Sequence, residues 1–265
     1  MKALAPILIA ALFLAPAIRL LLLARRTREM PELLAGLFFL GTGLGVPLRI
    51  LGHALALEGD RLGPWLTLAG HLSFGGATCA LAVFTWRVFR PKATWAKGLA
   101  TGLLAIQAGI AALLLFIPSA SQEASPSMML INSSRVIPLL WAFLESFAYW
   151  RTMQRRLAIG LSDPVVTNRF FLWAIWTGCL ASLPLTALAL RIASRLLRDF
   201  GLIQGQVSAA DQAAIAHNAQ IVFLITGFAG MIAISLSFFP PRRYLTWIRP
   251  QSQPPAIPDP PSVQV

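Results

Sequence analysis

Charge is scarce in this chain. Asp, Glu, Lys and Arg make up 12% of its 265 residues, about half the share found in an ordinary soluble domain. Lysine occurs only as Lys2, Lys92 and Lys97, none of them in the last apolar segment. A retinal Schiff base of the rhodopsin type is thereby excluded there. There are two cysteines, Cys79 and Cys179, with no CxxC spacing, which excludes a disulfide framework and a cysteine metal site and leaves them as small packing residues. The chain also lacks GxxxxGK[ST], HExxH, GxSxG and the kinase set of motifs, and carries no soluble output domain, so signalling would need a cytoplasmic or membrane protein partner.

Apolar sequence is abundant: 57% of residues are hydrophobic and the mean hydropathy is +0.69. Apolar segments recur at about residues 3–24, 32–56, 64–86, 98–118, 136–150, 170–190 and 213–239. Most reach the ~20 residues that cross ~30 Å of hydrocarbon. The pattern predicts an all-α integral membrane protein, a seven-helix bundle over residues 1–243, with a Pro-rich cytoplasmic tail at 244–265 that cannot form a packed core.

Basic residues set the orientation. Arg25, Arg26, Arg28, Arg87, Arg90, Lys92, Lys97, Arg151, Arg155, Arg156, Arg169, Arg242, Arg243 and Arg249 fall on one side, 14 in all. Lys2, Arg61, Arg135, Arg191, Arg195 and Arg198, 6 in all, fall on the other. This bias predicts the N-terminus outside and the C-terminus in the cytoplasm. Cleavage after "APA" at 15–17, as in a signal peptide, would invert the bias of every later loop, so residues 1–17 are read as part of helix one. The net charge of +12 is then a topology signal and a match to anionic lipid head groups, not a nucleic-acid surface. The preference for arginine over lysine and the alanine–leucine bias point to the inner membrane of a bacterium with a GC-rich genome.

Small residues four apart, Gly41 and Gly45, Ala69, Ser73 and Ala77, Gly98 and Gly102, predict close helix packing. Gly160 suits a helix C-cap, and Asp163-Pro164 suits the start of the next helix.

Ionisable groups at depth are costly in a bilayer and mark sites by default. At ~1.5 Å per residue, His53, Arg49, His71 and His217 with Asn218 fall in the outer third of the membrane. Arg49 and His53 are one turn apart, so both are expected to face one partner. An outward-opening polar pocket of Arg49, His53, His71, Ser73, His217 and Asn218 would attract a small anionic ligand, and its histidines would tie binding to pH. Glu145, expected ~14 Å below the outer end of helix five, needs a donor there, Arg49 or another. The reading that follows is a receptor-like or sensory subunit.

Two alternatives use the same residues. Convergence of His53, His71 and His217 around Zn²⁺ would give a metal-dependent intramembrane hydrolase. The outline is similar to the seven-helix zinc hydrolases of the adiponectin-receptor and alkaline-ceramidase type. Their last helix carries a HxxxH pair, however, whereas here His217 is followed by "NAQI", so the similarity covers topology alone. The other alternative is a small-solute transporter or a structural subunit of a membrane complex.

Overall fold

The computed structural model describes residues 4–117, 126–199 and 225–248, which are helical apart from short turns, with no strand among them. The elements are α1 (Leu4–Thr27), α2 (Met30–Leu57), α3 (Leu62–Phe89), α4 (Thr94–Phe116), α5 (Pro126–Ala158) and α6 (Pro164–Asp199), then α7 (Ile225–Phe238) and a short α8 (Arg242–Ile248). By length and composition α2, α3 and α4 are apolar and long enough to cross a membrane. The region expected to hold His217 and Asn218 lies outside the described residues, as does the tail beyond residue 248.

Turn chemistry closes the hairpins. Gly59, at φ +78°, ends α2, and the Asp60 carboxylate accepts a hydrogen bond from the Leu62 amide at 2.8 Å to start α3. Gly160, at φ +73°, follows α5, and Asp163 accepts from the Val165 amide at 2.7 Å, with Pro164 as the first residue of α6. The second turn has the left-handed glycine cap and Asx start that the sequence predicts at Gly160 and Asp163-Pro164, and the first repeats the same chemistry. The less obvious turn is between α1 and α2, where Arg28 itself takes φ +59°.

Helix α5 starts ten residues earlier than hydropathy suggests, at Pro126. The polar run "INSSR" at 131–135 is helical because its polar side chains turn inward: Ser134 and Arg135 are buried beside Ile131. A hydropathy window records their polarity and misses their direction. Arg135 is therefore no loop charge. Glu145 is displaced by the same shift and lies 19 residues from the start of α5, ~29 Å along the helix.

Helix α3 is the centre of the described bundle, touching α2, α4 and α5. Its contact with α2 is a seam of small residues. A β-carbon added at Gly41 would meet the Ser73 carbonyl at 2.7 Å, one at Gly45 the Phe74 amide at 2.8 Å, and one at Gly52 the Thr67 amide at 2.5 Å. Ser73 Oγ crosses the seam to donate to the Gly41 carbonyl at 3.1 Å. Gly41, Gly45, Ser73 and Ala77 thus pack as their spacing predicts. Gly98 and Gly102 do not, since nothing stands within 4 Å of an added β-carbon at either, and Ala69 is exposed. Spacing shows that a face is smooth but not that a neighbour covers it.

Toward the end that carries the Arg25, Arg87 and Arg155 loops, hereafter the basic end, the core is aromatic. Phe39 stacks on Trp176 at 4.8 Å, Phe38 meets the same indole edge-on at 5.3 Å, and Phe238 of α7 meets Phe39 at 5.2 Å. Cys79 and Cys179 are free thiols, both half-buried.

Candidate functional site

Four helices contribute polar groups at one depth. His71 lies nine residues into α3 and Arg135 nine residues into α5. Gln107 lies nine residues before the end of α4, and Arg49 eight before the end of α2. At ~1.5 Å per residue all four sit ~12–14 Å from the end opposite the basic loops. His71 and Arg135 are each 2% exposed.

The layer is built on the guanidinium of Arg135. Its Nη2 donates to His71 Nδ1 at 3.0 Å and to the His71 carbonyl at 3.1 Å. A guanidinium can only donate, so Nδ1 is the acceptor and the neutral ring carries its proton on Nε2. The face of Phe74, one turn on from His71, lies 5.1 Å from the guanidinium carbon, a cation–π contact. Beside it, Gln107 Nε2 donates to Ser134 Oγ at 3.0 Å, and Ser134 donates to the Ile131 carbonyl at 2.8 Å. Arg49 lies against the next turn of α3, and a β-carbon on Gly70 would stand 2.6 Å from its Cγ.

Arg135 is only partly satisfied by this shell. Among the described residues its buried Nε and Nη1 have no hydrogen-bond partner, and none of its contacts is with a carboxylate. A buried donor without a partner costs ~1–3 kcal/mol, and a charged one more. Arg135 therefore brings a buried positive charge and unused N–H bonds, with the Arg49 side chain close by, which is the chemistry that holds an anion.

The residues singled out from the sequence separate. His71 and Arg49 belong to this layer, whereas His53, one turn from Arg49, is exposed. Ser73 is committed to the α2–α3 seam by its bond to Gly41. Glu145 stands ten residues from Arg135, ~15 Å away along α5, in a second charged layer at the basic end. There both its oxygens lie 3.0 Å from Arg90 Nε, and Trp141 Nε1 donates to Oε1 at 3.4 Å. Arg90 caps the end of α3, so this pair ties α3 to α5. The donor for Glu145 is thus Arg90, not Arg49.

For zinc, His71 presents the wrong face, because Nδ1 accepts from a guanidinium whose charge would oppose a dication. Among the described residues no three His, Cys, Asp or Glu side chains stand together. Sequence reasoning missed Arg135, Ser134 and Gln107. For Ser134 and Arg135 the signal was the stripe Ile131, Ser134, Arg135, Leu139, Ala142 and Glu145, which keeps to one face of α5 at helical spacing and is buried throughout.

The described residues define an all-helical protein in which three helices are long and apolar enough to cross a membrane. No protein-family model, curated protein or solved structure matches the chain.

Replacing Glu145 by alanine tests the second layer. Trp141 would lose its acceptor, while Arg90, whose side chain is 48% exposed, turns to water. A loss of ~1–2 kcal/mol is expected. It is read from unfolding in mild detergent titrated with SDS, and an unchanged midpoint would mean that the pair contributes nothing.

Proposed function

We propose that this chain is a seven-helix integral membrane protein of a bacterial inner membrane that binds a small anion in the layer formed by Arg135, His71 and Arg49. Its N-terminus is outside and its C-terminus cytoplasmic, so the layer lies in the outer half of the bilayer. It acts as a receptor-like or sensory subunit. The single observation that carries this reading is the guanidinium of Arg135, buried in a helical bundle with Nε and Nη1 unpartnered among the described residues. A bound carboxylate, halide or small oxyanion would satisfy both the charge and the N–H groups. Burial on this scale suits a small anion, or the acidic end of a larger ligand reaching down between helices, better than a bulky solute.

The test is thermal stabilisation of the purified protein by chloride, inorganic phosphate and short carboxylates at constant ionic strength. One of these should raise the melting temperature, and Arg49→Gln should weaken its binding roughly 10- to 100-fold by removing one charged interaction of ~1.5–3 kcal/mol. Arg49→Lys should restore only part, because a point charge lacks the planar fork. If no anion stabilises the wild type, or if Arg49→Gln leaves a real shift intact, the site is a packing feature.

Orientation is tested separately. A reporter active only outside the cytoplasm should be active when fused after Ser125 and silent when fused after Gln251. The reverse pattern would place the layer in the inner half of the membrane.

A further inference from the structure

A cleft of about 270 Å³ opens at the basic end, far from the Arg135 layer, where α1, α3, α6 and α7 meet. Arg19 and Arg169 stand in its lining, and its walls are mainly apolar, with Phe84, Phe170 and Trp173 among them and Ser237 as a hydroxyl. Arg19 is held in place from α7: Nη1 donates to the Phe238 carbonyl, and the guanidinium lies 5.3 Å from the centre of the Phe239 ring.

We infer that this cleft is a binding site for one acidic phospholipid of the leaflet at the basic end, with its phosphate on Arg19 and Arg169 and the start of an acyl chain along the aromatic wall. Two exposed guanidinium groups on neighbouring helices give the charge complement of a phosphodiester. Leu20, Leu23 and Phe84 supply the apolar continuation that a soluble phosphate would not need. The volume is close to the lower end of the ~300–1,000 Å³ range of ligand cavities. It admits a head group and the first carbons of a chain while the remainder stays in the bilayer. The site does not depend on the Arg135 layer, and it is distinct from general attraction of basic loops to acidic membranes, which would involve Arg25 and Arg26 as much as Arg19.

The experiment is native mass spectrometry of the full-length protein from neutral detergent, titrated with phosphatidylglycerol or with phosphatidylcholine of the same chains. Wild type is expected to keep one phosphatidylglycerol with about tenfold preference. The double variant Arg19→Gln, Arg169→Gln should fall to the phosphatidylcholine level. Leu23→Trp, which fills the cleft without altering charge, should do the same, and it carries the test if the double variant does not fold. Arg25→Gln with Arg26→Gln should keep the preference. Equal retention of the two lipids, retention in Leu23→Trp, or an equal loss in the Arg25, Arg26 pair would overturn the site. Displacement of the lipid by millimolar inorganic phosphate would overturn the lipid assignment in favour of a soluble phosphate.

Discussion

Gly52→Ala is expected to lower stability by at least ~3 kcal/mol, the upper end of the ordinary cost of overpacking. A β-carbon there would stand 2.5 Å from the Thr67 amide, 2.6 Å from Thr67 Oγ1 and 2.7 Å from the Gly63 carbonyl. Two of these three obstacles are backbone, so no rotamer change relieves them. Helices α2 and α3 would have to separate along the seam, and dispersion contacts would be lost at Gly45 and Gly41 as well. Gly102→Ala makes the control, since nothing lies within 4 Å of its added β-carbon. Alanine should raise helix propensity there by up to ~1 kcal/mol at no packing cost. SDS titration of both variants from mild detergent measures the contrast, and coincident curves would mean that the α2–α3 seam is not closed as described.

Arg135→Met should have opposite effects on the empty and ligand-bound protein. Nε and Nη1 are buried and unpartnered among the described residues, so an apolar chain of similar volume is expected to stabilise the anion-free protein by ~1–2 kcal/mol, the relief of a buried charge outweighing the donor that His71 loses. The same change removes the charge and every N–H that an anion would use, so stabilisation by anions should disappear, a loss of 100-fold or more in affinity for interactions of ~3 kcal/mol. Melting curves with and without the anion separate the two. A destabilised, still anion-responsive Arg135→Met would show that the guanidinium serves helix packing alone through His71.

Much of the fold is legible in the sequence, and for local reasons. Gly160 with Asp163-Pro164 announces its turn because cap and Asx chemistry act within a few residues. The site is legible only in part. His71 stands out because a histidine in an apolar run is conspicuous, and Arg49 for the same reason. Arg135 escaped because it follows Asn132, Ser133 and Ser134, and a polar stretch reads as a loop until its helical face is known. The Arg90–Glu145 pair joins residues 55 apart in sequence, and no local pattern signals such a contact. Arg49 and His53 share a spacing but differ in burial, since a side chain at the edge of a seam is covered only where the facing helix passes over it.

The seam between α2 and α3 bears on how the bundle could move. Backbone meets backbone from Gly41 against Ser73 at one end to Gly63 against Ala56 at the other. Like two racks in mesh, neither helix can slide or roll against the other without a side chain climbing onto main chain. They form one stiff plate that carries both Arg49 and His71. Helix α5 is joined to that plate by polar links at two levels, Arg135 to His71 and Glu145 to Arg90. Hydrogen bonds and ion pairs can break and re-form with a new partner, which meshed backbones cannot do. A bound anion that drew Arg135 away from His71 would load α5 as a lever against the plate. The strain would then fall on the Glu145–Arg90 pair at the basic end.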